Sequence, residues 1–249
     1  MNIFILATNY LGFRILRFLL KQNDNILGVG LIKNNPYSNK IIKELKLKKI
    51  SFFYLTKKPN KVFLNKLKKM KLDYLLSVSW PYILKEKLFN IPKYGSLNFH
   101  LSFLPFNRGK NPNVWPIIDN SPAGVTIHFI NNKIDDGEIV FQKKVNLESI
   151  DTAKTLFKKS NVEMIKLFEK NWAKIKNKNY KKKKNLKKRG SFHTSSEFKK
   201  LDKIHLSKKI YPLDLINHLR AKTFKPYPGA YFEKNNKKIF FEIKLKYKK

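Results

Sequence analysis

Apolar residues fall along this chain in short runs separated by amphipathic stretches, and the alternation predicts its architecture. Asn2 to Ala7 (NIFILA) has the near-continuous apolar character of a strand buried on both faces. A turn at Asn9 to Gly12 follows, then a helix on which Ile15, Leu16, Leu19 and Leu20 share a face. The pattern repeats, with ILGVGLI at 26–32 as strand, NKIIKELKL at 39–47 as helix and SFFYL at 51–55 as strand. VFLNKLKKM at 62–70 reads as helix and DYLLSVS at 73–79 as strand. Such alternation predicts an α/β fold, a Rossmann-like and mostly parallel sheet covered on both faces through right-handed crossovers.

Further strands are predicted at 95–100 (GSLNFH), 124–130 (GVTIHFI) and 138–145 (EIVFQKKV), with the irregular polar loop LSFLPFNRGKNPNVW after the first. Asp151 and Thr152 offer capping oxygens to a long helix whose buried side carries Leu156, Val162, Ile165, Leu167, Phe168 and Trp172. A catalytic domain is expected over 1–175 and a lysine-rich linker over 176–190. The small C-terminal domain expected over 191–249 is α+β or β-rich and ends in a hairpin turned at Asn235 and Asn236.

The composition changes this picture in two ways. A net charge of +37 raises nucleic acid as a partner. However, 49 Lys stand against 5 Arg, whereas base recognition favours the guanidinium fork, and abundant Lys, Asn, Ile and Phe are what A/T-rich codons produce. Nucleic acid is therefore not the expected partner, and the nine Lys and one Arg in 174–189 read first as a solvated helix end and linker. The absence of cysteine excludes a disulfide framework, a thiolate nucleophile and a sulfur-based zinc site. With no basic leader at the start and no apolar run long enough for a membrane span, the expected location is the cytoplasm.

The first turn carries one glycine, Gly12, rather than G-x-G-x-x-G, so a dinucleotide site is not indicated. The densest polar cluster lies further on. Asn98 and His100, two apart on a strand, point to one face, where an amide and an imidazole can polarise a carbonyl and move a proton. Alone, the pair is also an ordinary hydrogen-bonded strand end. The loop behind it, with Pro105, Arg108, Gly109, Pro112 and Trp115, lies where α/β sheets keep their ligands. Asp135, in IDDGEI, is either a third polar group of this site or a turn residue.

G-S-L-N-F-H-L-S-F-L-P-x-x-R-G, G-V-T-I-H and I-D-D-G-E-I closely resemble the formyltransferases that use 10-formyltetrahydrofolate, a likeness running through most of 1–175. It implies Asn98, His100 and Asp135 as catalytic residues, with neither metal nor covalent intermediate required. It also implies a folate pocket at Trp80, Tyr82 and Ile83, closed by Ile134 to Asp136. The R-G-K-N-P-N-V-W loop and the tail's L-I-N-H-L-R-A-K-T-F-x-P-Y-P-G-A-Y-F are most similar to sugar N-formyltransferases. That likeness implies a nucleotide-linked amino-dideoxy sugar, commonly dTDP-4-amino-4,6-dideoxyglucose, used for surface polysaccharide. Arg108, Lys110, Asn113, Trp115 and Arg220 are its expected contacts, with Tyr227 and Tyr231 as stacking surfaces. Homodimerisation through the tail hairpin is a further possibility. The alternative activity is methionyl-tRNA formyltransferase, which resembles a longer chain.

Overall fold

The structure is a computed structural model, and it describes residues 1–186 and 190–248. In the N-terminal half the elements are β1 (Asn2–Ala7), α1 (Asn9–Leu19), β2 (Asn25–Leu31), α2 (Pro36–Leu47), β3 (Phe52–Tyr54), α3 (Lys61–Lys69), β4 (Tyr74–Val78), α4 (Glu86–Phe89) and β5 (Ser96–His100). There follow β6 (Arg108–Gly109), α5 (Trp115–Asp119), β7 (Gly124–Phe129), β8 (Ile139–Lys144) and α6 (Ala153–Lys176). The tail holds β9 (Phe192–His193), α7 (Ser195–Lys200), α8 (Pro212–Ala221), β10 (Tyr231–Lys234) and β11 (Lys237–Phe240).

The main sheet has seven strands in the order β3-β2-β1-β4-β5-β7-β8. Its first five are parallel, as the helical crossovers require, and β7 runs antiparallel to β5. The expected mostly parallel α/β sheet is therefore present. Local chemistry sets the helix starts. Asn35 accepts from the amide of Tyr37 at 2.9 Å ahead of Pro36, and Asn60 accepts from the amide of Phe63 at 2.9 Å. On one face of the sheet Phe4 meets Phe53 and Phe63, with ring centroids 6.0 and 5.8 Å apart. Gly30 makes this packing possible, since a Cβ there would lie 2.5 Å from Leu6 and 2.8 Å from Leu55.

Contacts divide the chain into two compact units. The first comprises 1–100, 126–141 and 164–185, and the second comprises 101–125, 142–163 and 186–248 of the described residues. In the first unit Phe168 of α6 packs on Phe18 and Phe99 with centroids 5.7 and 5.1 Å apart. The second unit includes the R-G-K-N-P-N-V-W loop and the tail. There Asn235 and Asn236, both at positive φ, close the β10–β11 hairpin as the sequence pattern predicts. Thr194 and Glu197 form a reciprocal capping box on α7, a helix the apolar pattern does not reveal because none of its residues is buried. Among the described residues no helix is long and apolar enough to cross a membrane.

Candidate active site

The residues that the sequence brings forward as catalytic lie together at the end of β5. Antiparallel pairing sets Asn98 opposite His128 and His100 opposite Thr126. The loop from β7 to β8 then returns Asp135 to the same place, with its backbone at φ 47. That loop is tight: a Cβ on Gly137 would lie 1.7 Å from the carbonyl oxygen of Phe129, so only glycine fits beside the strand. From the other side Asn185 donates its amide to the carbonyl of Asp135 at 3.0 Å.

Asn98 Nδ2 lies 3.3 Å from Asp135 Oδ1 and 3.2 Å from His128 Nε2. His128 Nδ1 is 2.8 Å from the carbonyl of Phe129, which can only accept, so that nitrogen carries the proton. In a neutral ring, Nε2 is then the acceptor that faces the Asn98 amide. His100 Nδ1 and His128 Nε2 each lie 3.6 Å from a carboxylate oxygen of Asp135, which is ion-pair rather than hydrogen-bond range. His100, His128 and Asp135 side chains are 8%, 2% and 11% exposed, so the carboxylate acts at low effective dielectric. His128 ends the G-V-T-I-H stretch, but nothing in that stretch assigns it a role, and Asn185 carries no sequence signal. His128 stands two residues after Thr126, on the same face of its strand, but only the antiparallel register sets it opposite Asn98.

The expected folate residues divide. Trp80, Tyr82 and Ile83 line one apolar cavity with Leu6, Leu55 and Leu84. Ile134 and Asp136 do not line it; Ile134 is 40% exposed on the loop that carries Asp135.

The expected sugar-nucleotide contacts all lie in the second unit, and several have intramolecular roles. Trp115 is buried, donates Nε1 to the carbonyl of Lys110 at 2.8 Å and stacks on His193, with centroids 3.8 Å apart and planes 9° from parallel. Asn113 donates to the carbonyl of Ala153 at 3.0 Å. The buried guanidinium of Arg220 bonds Asn217 at 2.8 Å and the carbonyls of Glu148 and Asp151 at 3.1 and 2.9 Å. These three residues thus tie loops of the second unit together through backbone carbonyls. Tyr231 faces Phe240 across the hairpin. Arg108 lies over the ring of Phe192 at 5.7 Å. Lys110 and Tyr227 are exposed, with side chains open to a ligand.

Two expected outcomes arise from these contacts. Arg220→Met strands buried carbonyls and should cost about 2–3 kcal/mol, read as a lower unfolding temperature. An unchanged temperature would mean that water replaces the guanidinium. Burial holds the His193 imidazole below its ordinary range, against the opposing charges of Asp119 and Glu197. The unfolded chain therefore binds the proton more readily than the folded one. The stability from neutral His193 is present above its unfolded pKa of roughly 6.5 and is lost as pH falls through the lower folded value. The unfolding temperature of the wild type should thus fall on acidification more than that of His193→Gln, and parallel curves would overturn the assignment.

Residues 16–169 match the family described as "Formyl transferase". The chain belongs to the formyl transferase family. Residues 197–247 match the "N-formyltransferase dimerization C-terminal domain". The chain is 36% identical over 165 residues to the bifunctional polymyxin resistance protein ArnA of Wigglesworthia glossinidia brevipalpis, an alignment covering 64% of this chain and 25% of that protein. It is 28% identical over 248 residues to methionyl-tRNA formyltransferase of Malacoplasma penetrans, covering 96% of this chain and 75% of that one. Among solved structures it resembles a 4-N formyltransferase from Francisella tularensis, with TM-score 0.85 and 26% identity, covering 99% of this chain and 98% of that one. It also resembles WlaRD, a sugar 3N-formyl transferase in the presence of dTDP and 5-N-formyl-tetrahydrofolate, with TM-score 0.73 and 25% identity, covering 96% of this chain and 84% of that one.

Proposed function

We propose that this formyltransferase moves the formyl group of 10-formyltetrahydrofolate to the amino group of a nucleotide-linked amino-dideoxy sugar, dTDP-4-amino-4,6-dideoxyglucose being the first substrate to test. The observation that carries the reading is the grouping of an amide, an imidazole and a carboxylate around the end of β5. That donor set fits a formyl group: a polarised carbonyl needs a hydrogen-bond donor, and an attacking amine needs a proton acceptor. Folate supplies the activated formyl carbon when bound.

This chain's residues do the rest. Asn98 donates from Nδ2 to the formyl oxygen as negative charge develops there, releasing its 3.3 Å bond to Asp135. His100 accepts the proton of the attacking amine on its ring nitrogen remote from Asp135, Asp135 beside Nδ1 favours the imidazolium that results, and that proton is returned to N10 of the folate as its bond to the formyl carbon breaks. His128 holds the amide of Asn98 in register. A sugar acceptor is supported by the matches to the 4-N and sugar 3N-formyl transferases, which extend over nearly the whole chain, and by the C-terminal domain match. That domain's description also supports a homodimer. In this reading the enzyme works in the cytoplasm and its product enters surface polysaccharide.

The alignment with methionyl-tRNA formyltransferase over 248 residues favours a second reading, in which the charge of +37 engages tRNA. Purified protein offered 10-formyltetrahydrofolate with the amino sugar nucleotide and with initiator methionyl-tRNA in parallel separates them. A mass gain of one formyl group on the sugar nucleotide alone is expected. A gain on the tRNA alone would replace the first reading with the second.

A further inference from the structure

The lysine-rich stretch after α6 has the composition of a solvated linker, yet its part from Tyr180 to Asn185 is built onto the edge of the main sheet. Lys183 and Ile139 exchange both of their backbone hydrogen bonds, each 2.8 Å, and so add an antiparallel rung outside β8, the end strand of the sheet. At one end of this strap Tyr180 packs near Phe129 and Phe141, with ring centroids 6.2 and 6.3 Å away, and its hydroxyl lies 2.8 Å from that of Tyr74. Lys182 sits 4.3 Å from the centre of the Phe129 ring and 3.2 Å from the carboxylate of Glu138. Phe129 and Glu138 are the two ends of the loop from β7 to β8, closed by a 2.9 Å backbone bond. At the other end of the strap Asn185 reaches the carbonyl of Asp135, at the turn of the same loop.

Asn185 is 7% exposed. A carbonyl can only accept, so Nδ2 faces Asp135 and Oδ1 turns away, and among the described residues that buried oxygen has no hydrogen-bond partner. An unmatched buried oxygen is destabilising, and an apolar side chain of the same size would not have it. The amide therefore owes its place to its donor. That donor fixes the peptide that follows a residue at φ 47, with a 3.0 Å bond, whereas the Asp135 carboxylate meets Asn98, His100 and His128 at 3.3 to 3.6 Å. Of these restraints the backbone bond is the tightest, so the direction of the carboxylate is set from the backbone side.

We propose that Asn185 is a positioning residue for formyl transfer: it holds the backbone of Asp135 and, through it, the approach of the carboxylate to His100. The inference rests on the catalytic reading of Asp135 given above. A misplacement of about 1 Å in a reacting group can lower a rate by on the order of 100-fold. Because Asn185 acts through Asp135 and on neither substrate, its loss falls on kcat and not on KM.

Asn185→Leu removes the donor and the unmatched oxygen together while keeping the size of the side chain. Its kcat should fall about 30-fold with both KM values within about twofold, and its unfolding temperature should stay within about 4 °C of the wild type. Tyr180→Phe, which loosens the far end of the strap, should lower the unfolding temperature and leave kcat within about twofold. In an Asp135→Asn background, Asn185→Leu should have a further effect of about twofold or less. Wild-type kcat in Asn185→Leu overturns the proposal. So does the full loss recurring in the Asp135→Asn background, which would place the action of Asn185 elsewhere, or an equal loss in Tyr180→Phe, which would assign it to general loosening of the edge. Wild-type turnover in Asp135→Asn overturns instead the catalytic reading beneath it. Hydrogen exchange over residues 130–137, read by mass spectrometry, decides the matter even if the acceptor is misassigned. Exchange there should quicken in Asn185→Leu and not in Tyr180→Phe, and an unchanged rate in Asn185→Leu overturns the strap. If Asn185→Leu does not fold, Asn185→Ala carries the same outcomes.

Discussion

His100→Asn lowers kcat for formyl transfer by about 1000-fold, within the usual range for losing a positioned general base, while the protein stays folded. Asparagine keeps a polar group near Asp135 but has no nitrogen able to accept a proton near neutral pH. Asp135→Asn should lose a comparable factor, because the carboxylate 3.6 Å from Nδ1 is what favours the charged imidazole. If the two act as one unit, the double variant is scarcely worse than the poorer single variant. Steady-state kinetics on the three variants, with circular dichroism as the control for folding, checks this. Wild-type-like turnover in His100→Asn would remove His100 from proton transfer. Losses that simply multiply would mean that Asp135 acts independently of it.

Asn98→Ala lowers kcat by about 100- to 1000-fold with little change in KM, as expected for a donor whose bond strengthens only as the oxyanion forms. The geometry makes this a demanding test. Asn98 also links His128 and Asp135, through contacts of 3.2 and 3.3 Å, so truncation both deletes a donor and frees two neighbours. His128→Gln separates these effects, since it disturbs the tether of Asn98 and leaves its amide in place. A much smaller loss in His128→Gln than in Asn98→Ala supports direct donation to the formyl oxygen. Equal losses, or a rise in KM with kcat unchanged, would reduce Asn98 to a positioning or binding residue.

Much of the fold was legible because its signal is local. The apolar run of β1, the shared face of Ile15, Leu16 and Leu19 on α1 and the Asn235–Asn236 turn each arise within a few residues. Element ends were less legible. The strand expected at 51–55 is formed only over Phe52–Tyr54, since Ser51 and Leu55 fall outside the ladder with β2. The exposed helix α7 escaped the pattern because it buries no face. Among site residues, Asn98 and His100 announced themselves by their two-residue spacing. Arg220 and Trp115 drew attention as a cation and an aromatic, and the structure turns both inward onto backbone carbonyls.

The sequence by itself determined the order of strands and helices, the absence of a dinucleotide loop and the residue types available for moving a proton. Periodicity, turn chemistry and side-chain identity are properties of neighbours along the chain. Only the tertiary structure decided that β7 runs antiparallel to β5, and with it that His128 faces Asn98. It also placed Asp135 against two imidazoles and gathered Lys57, Lys58, Lys85 and Lys87 around one apolar cavity. Apart from Asp135 with His128, seven positions away, these are contacts between residues some thirty positions apart, and nothing local encodes them. They exist because the packing of the sheet and the return of its loops bring distant side chains within a few ångströms.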